Sequence, residues 1–260
     1  MTITDLTLKS IRAVNSRTVL LTLTDSAPLP SDLRPGQFVE VRVDGSPTTF
    51  LRRPISVCFV DRDANELWLL VAMVGSGTRR LAQLQSGDTV NCVLPLGNGF
   101  TLPATGSTLL IGGGVGVAPL LYAGQAIAAR AKDCDGLCPP TFLLGARTKG
   151  DLLLLDEFSK YGTVYVTTED GSMGGSGFVT DHPILDSPHH SILTCGPTPM
   201  MKAVARYARE KDIDCQASLE NMMACGLGAC LCCVEKTTKG NLCVCKEGPV
   251  FNTKELLWQI

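Results

Sequence analysis

The segment from Cys225 to Cys245 reads Cys-Gly-Leu-Gly-Ala-Cys-Leu-Cys-Cys, then a lysine-rich turn, then Cys-Val-Cys, and no other stretch limits the fold so tightly. Cys225, Cys230 and Cys233 stand at C-x4-C-x2-C, a spacing that ligates [2Fe-2S] clusters with a fourth thiolate from further along. A cluster sits under a tight loop whose backbone N–H groups point at its sulfurs, so the residues between ligands must be small or tolerate φ > 0. Gly226, Gly228 and Ala229 meet that demand. The fourth ligand is Cys243 or Cys245. Cys245 is preferred, because it leads into Lys-Glu-Gly-Pro-Val-Phe, where Gly248 and Pro249 can turn the chain back over the cluster. A zinc ribbon asks for separated C-x2-C knuckles, which a first gap of four residues and a second pair at C-x-C do not supply. Cys232 and Cys243 then read as small buried hydrophobes.

The composition is that of an ordinary folded chain: 260 residues, enough for two domains and an appendage, with 18% charged and 45% hydrophobic residues. A formal net charge of −2 with no run of like charges gives no field for nucleic acid or anionic lipid. The start, Met-Thr-Ile-Thr-Asp-Leu, has neither the cationic nor the apolar part of a secretion signal, so a reducing cytoplasm is expected and the cysteines there are thiols or metal ligands, not disulfides. Thr101 to Ala129 carries no charge, but Pro103, Pro119 and Gly112-Gly113-Gly114 break it, so it reads as a buried strand, loop and helix and not as a membrane span.

The first hundred residues have strand texture. Arg17 to Thr24 and Phe38 to Val43 alternate, and Leu67 to Val74 is a longer apolar run, all separated by Pro-, Gly- and Asp-rich turns; strands this short and this spaced predict a small antiparallel barrel. From Thr108 the texture changes to strand and helix in turn. Thr108 to Ile111 is a strand, Gly112 to Pro119 a glycine-rich turn and Leu120 to Ala131 a helix, the anion-binding arrangement of dinucleotide sites. Further strands are expected at Phe142 to Leu144, Val164 to Thr168 and Ile192 to Thr194, the last running into Cys195-Gly196-Pro197-Thr198-Pro199-Met200 and a helix to Glu210. Ala217-Ser218-Leu219 reads as a linker. The expected units are a barrel over 1–102, a parallel α/β domain over 103–215 and a cluster module over 216–260.

Pro35-Gly36-Gln37-Phe38 followed by Arg52-Arg53-Pro54-Ile55-Ser56 resembles the flavin domain of the ferredoxin-reductase family. The resemblance implies FAD, with Arg53 on its pyrophosphate, Pro54 and Ile55 against the flavin, and Ser56 by the flavin N5. Ile55 stands where that family often has Tyr, so aliphatic packing replaces ring stacking. Leu70-Val71-Ala72 and Gly75-Ser76-Gly77-Thr78 look like the family's second flavin strand and phosphate loop, with the N–H groups of Gly77 and Thr78 toward a phosphate. The glycine turn and the Cys195 motif resemble its nicotinamide domain. By that comparison Gly113, Gly114 and Gly116 cradle the nucleotide and Cys195 lies near the nicotinamide. Asp170-Gly171-Ser172 can reach a ribose, Arg147 and Lys149 a 2′-phosphate; NAD is the expected nucleotide. His182, His189 and His190 receive no catalytic role, and Cys134 and Cys138 no metal.

A nicotinamide exchanges two electrons and a [2Fe-2S] cluster one, so a flavin between them is the converter. No acid, base or nucleophile constellation for a substrate carbon is visible. With its C-terminal cluster module, Met223-Ala224-Cys225-Gly-x-Gly-Ala-Cys230 and Val244-Cys245-Lys-Glu-Gly-Pro-Val-Phe251, the chain closely resembles the electron-transfer subunits of type B dihydroorotate dehydrogenase over nearly its whole length. That resemblance implies Cys225, Cys230, Cys233 and Cys245 as metal ligands. It also implies an FMN-bearing catalytic subunit as partner in a heterotetramer of two of each, and a place in pyrimidine biosynthesis. Cys232 stands where that family has glycine. A ferredoxin:NADP oxidoreductase or sulfide dehydrogenase subunit shares the module order, and a zinc-structured binding module is the alternative of another class. The apolar tail Val250, Phe251, Leu256, Leu257 and Trp258 is expected to form the subunit interface.

Overall fold

The computed structural model describes residues 1–258. The expected barrel is closed and six-stranded: β1 (Thr2–Asn15), β2 (Thr18–Thr24), β3 (Phe38–Val41), β4 (Arg53–Asp61), β5 (Glu66–Ala72) and, after the short helix α1 (Ser76–Leu81), β6 (Thr89–Leu96), joined in the order β1-β2-β5-β4-β3-β6. Leu21, Leu23, Val39, Val41, Val57 and Leu69 point inward and fill it. The strand β1 left only a faint sequence signal, because its one strongly buried stretch is Leu6 and Leu8.

The second unit contains β7 (Thr108–Gly113), α2 (Ala118–Ala131), β8 (Thr141–Ala146), α3 (Leu155–Ser159), β9 (Thr163–Thr168), β10 (Gly175–Ser176), β11 (Ser191–Cys195), α4 (Thr198–Glu210) and β12 (Asp214–Ser218). Its strands from β10 to β12 are parallel, in the order β10-β9-β8-β7-β11-β12. The glycine-rich turn is a 3-10 helix over Gly114–Val117 that leads directly into α2, so helix begins earlier than its sequence pattern suggests. The first half of helix α2 is apolar on all sides because it is buried on all sides: Leu120 and Leu121 pack into the sheet core, as Ile127 does further on, while Tyr122 packs into the barrel core and donates its hydroxyl to the Leu33 carbonyl at 3.0 Å. That burial, with the buried strand β7, accounts for most of the apolar part of the uncharged stretch from Thr101 to Ala129. Among the described residues, no helix is long and apolar enough to cross a membrane.

The third unit is not a separate appendage. It holds the hairpin β13 (Val234–Thr237) and β14 (Gly240–Cys243), and then β15 (Val250–Asn252), which pairs antiparallel with β12 as the seventh strand of the nucleotide sheet. Ala217 and Ser218, read from sequence as linker, are therefore buried residues of β12, and the boundary drawn at 215 falls inside that strand. Polar residues in a strand of this kind look like a connector until their partners are known. The Gln216 side chain exchanges two hydrogen bonds with the Thr101 backbone, at 2.9 and 2.8 Å. On the barrel side, Asn98 takes the Gly248 carbonyl at 2.6 Å with its backbone N–H and the Lys246 and Glu247 carbonyls with its side chain. The tail is also placed differently from expectation. Phe251 and Leu256 are buried in a core that joins β3 to the cluster module, and Val250 in the core around α2, so they cannot face a partner; Leu257 remains exposed.

Candidate functional site

The cysteine loop has the backbone that its glycines predict. Gly226 and Gly228 adopt φ of +68° and +80°, and Leu231 adopts +58°, a left-handed conformation unusual for a side chain of its size. The loop turns its N–H groups onto sulfur: Leu227 N–H donates to Cys225 Sγ at 3.3 Å, and Gly228 N–H to Cys245 Sγ at 3.0 Å. The Leu227 N–H, helped by donors from Cys230 and Ala229, lowers the Cys225 pKa to about 6. Cys245 is also tied to Cys233, whose sulfur accepts its backbone N–H at 3.4 Å, and burial pushes the Cys245 thiol up to about 12. The four candidate ligands Cys225, Cys230, Cys233 and Cys245 thus gather at one loop, together with the N–H donors an anionic cluster requires. No three His, Cys, Asp or Glu side chains among the described residues converge as a single bound ion would draw them. Cys243 is buried nearby with its sulfur 3.8 Å from the Gly228 carbonyl, whereas Cys232 is exposed.

At the mouth of the barrel, the Arg53 side chain lies across Gly77. A Cβ at position 77 would stand 2.7 Å from Arg53 Nε and 3.1 Å from Thr49 Cγ2, so only glycine admits this approach. Thr78 spends its hydroxyl on the turn itself, accepting the N–H groups of Val74 and Gly75 at 3.0 and 3.1 Å, which makes its side chain a brace and leaves only its backbone for a ligand. Pro54, Ile55 and Ser56 open β4 half-exposed, with Ile55 packed on the barrel core. Of the other candidates, Leu70 and Val71 have their side chains in the two cores, and only Ala72 keeps open surface. Phe50, beside this mouth in sequence, is 92% exposed.

In the nucleotide unit the glycines serve different purposes. A Cβ on Gly116 would lie 2.5 Å from Gly196 Cα, and one on Gly113 2.8 Å from Met200 Sδ, so these two allow β7, β11 and α4 to close up. Gly114, at φ +56°, has nothing within 4 Å of where a side chain would start, and leaves its backbone bare at the carboxyl end of β7. Ligands of open α/β sheets bind at that end. Cys195 ends β11 fully buried, its pKa raised well above that of a free thiol by burial and by the neighbouring Glu220. The Glu220 carboxyl comes within 4.0 Å of the Cys195 sulfur. Glu220 is an exposed residue, yet its carboxyl reaches the buried Cys195, and desolvation there raises its pKa. Sequence reasoning missed Glu220, because the strand that ends two residues before it, at Ser218, reads as a linker.

Glu40 was also missed. It is an acid in the middle of β3, 2% exposed, whose pKa is raised to about 7 by burial, with Arg52 opposing the shift.

Residues 220–257 match the iron-sulfur cluster binding domain of dihydroorotate dehydrogenase B, and residues 110–206 match the oxidoreductase NAD-binding domain. The electron transfer subunit of dihydroorotate dehydrogenase B (NAD(+)) from Geobacillus kaustophilus is 38% identical over 97% of this chain and 97% of its own length. The chain belongs to this family of electron-transfer subunits. The subunit from Clostridium perfringens is 40% identical over 85% of this chain and 86% of its own. Among solved structures, a chain of the NADH-dependent reduced ferredoxin-NADP oxidoreductase superposes with a TM-score of 0.84 at 30% identity, covering 97% of this chain and 90% of that one. The cytochrome b5 reductase domain of Ulva prolifera nitrate reductase superposes at 0.65 with 19% identity over 82% of this chain and 94% of that one, which speaks for the barrel and sheet alone. Dihydroorotate dehydrogenase B electron-transfer subunits thus account for the third unit as well as the first two.

Proposed function

We propose that this chain carries electrons between NAD(H) and an FMN-bearing dihydroorotate dehydrogenase catalytic subunit, in pyrimidine biosynthesis, as a heterotetramer of two chains of each kind. The observation that carries this reading is end-to-end similarity to electron-transfer subunits of that enzyme, including the cluster domain at 220–257. A bound flavin exchanges two electrons with a nicotinamide and single electrons with a [2Fe-2S] cluster, which is the conversion this order of units calls for. Arg53 holds the FAD pyrophosphate with its planar fork of donors over Gly77. The bare backbone at Gly114 and the helix that follows receive the nucleotide, and Cys195 and Glu220 border the nicotinamide side. Cys225, Cys230, Cys233 and Cys245 hold the cluster, with Gly228 and Leu227 donating to its sulfurs. The exposed acid Asp170, hydrogen-bonded to Ser172, suits a ribose hydroxyl more than a 2′-phosphate, which favours NAD. Eight further cysteines, none in a disulfide among the described residues, favour a reducing cytoplasm.

The partner meets the cluster module. Met222 is 83%, Leu231 65%, Leu257 58% and Leu227 50% exposed in that module, apolar side chains available to a partner beside the cysteine loop. The similarity to the ferredoxin-NADP oxidoreductase chain favours a second reading, in which the partner is a larger flavoprotein. Co-expression with each candidate partner tests both. Dihydroorotate-dependent reduction of NAD+ that appears only in complex with the FMN subunit supports the first reading. Stable assembly with the larger flavoprotein, and none with the FMN subunit, overturns it.

A further inference from the structure

Among the described residues, the Glu40 carboxyl is the one buried side-chain group with neither oxygen hydrogen-bonded. Strand alternation explains where it points. Val39 and Val41 fill the barrel core, so Glu40 shares the outer face of β3 with Phe38, which packs in the core of the cluster module. Its cross-strand neighbour in β4 is Pro54, within the flavin segment. On the other side lies the cysteine loop: a Cβ on Gly226 would stand 2.8 Å from Glu40 Cγ and 3.0 Å from Oε1. Glycine at 226 is therefore required twice, by its positive φ and by this acid. Arg52 is the cation that most opposes the effect of burial on Glu40, with Arg53 behind it, but the Arg52 guanidinium hydrogen-bonds elsewhere. Nη1 donates to the Glu40 and Asn91 carbonyls and Nη2 to Asn91 Oδ1.

A buried carboxyl without a partner is costly, and a β-branched residue would fill this face of β3 at no such cost. The acid is explained if a polar partner arrives on the face it presents. That face is the backbone of Cys225 and Gly226.

We propose that Glu40 is a positioning residue for the cluster, its carboxyl the hydrogen-bonding seat that holds the Cys225–Gly226 segment against the flavin strand in the loaded protein. The inference rests on Cys225 being a ligand, which iron and labile sulfide content of Cys225→Ser decides separately. Three variants of the full chain test the seat, with FAD content as the control for folding. Leaving a buried backbone N–H without its acceptor shifts an equilibrium about fivefold or more, so Glu40→Leu is expected to give up its cluster at a chelator concentration at least about fivefold lower than the parent. The electron paramagnetic resonance signal of its reduced cluster should change shape as well. Glu40→Gln keeps the size and an accepting oxygen, and should restore both the retention and the signal. Glu40→Asp keeps the acid but withdraws the carboxyl by one methylene, so it should also lose the cluster more readily than the parent while retaining FAD; it decides the matter if Glu40→Leu does not fold. The proposal is overturned if Glu40→Leu keeps its cluster and signal, if Glu40→Gln is as impaired as Glu40→Leu, or if Glu40→Asp holds its cluster as the parent does.

Discussion

Gly228 donates its backbone N–H to the Cys245 sulfur at 3.0 Å, while Cys243, two residues earlier, presents its own sulfur to the Gly228 carbonyl at 3.8 Å. The two candidate fourth ligands therefore lie on opposite sides of one residue, Gly228. Cys245 receives a backbone donor, the contact that a cluster-bound sulfur needs, and Cys243 meets an acceptor, to which only a thiol can donate. Cys245→Ser is accordingly expected to strip the cluster, whereas Cys243→Ser should retain two irons and two sulfides per chain. Iron and labile sulfide analysis of the two variants checks this, and the opposite result reassigns the ligand.

Arg53 over Gly77 gives a second prediction. A charge-assisted contact is worth roughly 1.5 to 3 kcal/mol, so Arg53→Ala should weaken FAD binding about 10- to 150-fold. Iron content should stay unchanged, because Arg53 lies in the barrel and no cluster ligand does. Flavin titration of the deflavinated variant measures the effect; unaltered affinity would mean that the pyrophosphate lies elsewhere.

The parts of this molecule legible in sequence were those fixed by local chemistry. The C-x4-C-x2-C spacing demanded a loop with positive φ, and Gly226 and Gly228 supply it. The period-two pattern of β2 and the abrupt change of texture at Thr108 marked the barrel and the sheet. What sequence could not convey were pairings between distant segments. Nothing near Ala217 announces that β15, more than thirty residues later, will pair with it, so a sheet strand looked like a linker. The tail was misplaced for the same reason: Phe251 is apolar whether it faces a partner or, as found, the core shared with Phe38 and Leu96. Glu40 was hidden because an acid in a short strand reads as an exposed position until the cluster module is seen to cover it.

Thiol reactivity offers a third test that spans the whole chain. Burial pushes Cys92 and Cys215 up to about 12 and raises Cys58 and Cys195 as well, so none of the four carries thiolate near neutral pH. Cys134, Cys138 and Cys232 are exposed. Alkylation of the loaded, folded protein at pH 8 followed by peptide mass spectrometry should label these three and spare the buried four. Rapid labelling of Cys195 would show that the end of β11 is open to solvent.

The last prediction separates the exposed apolar surface from the buried tail. Phe251 is 4% exposed and pairs in the sheet opposite Ala217, so a charge there must be buried or the strand must leave the sheet. Phe251→Asp should destabilise the isolated chain, seen as a lower melting temperature and loss of soluble protein. Met222 and Leu257 are instead solvent-facing, and neither belongs to a candidate cofactor site. Met222→Asp with Leu257→Asp should leave the melting temperature, the cofactor content and the reduction of artificial acceptors by NADH unchanged in the isolated chain. Two charges in the centre of an interface that must exclude water should, however, abolish assembly with the FMN subunit and with it dihydroorotate-linked reduction of NAD+. Size-exclusion chromatography of the mixed subunits reads assembly directly. If the double variant assembles and turns over as the parent does, the partner docks on another face, and the cluster's outward route must be sought there.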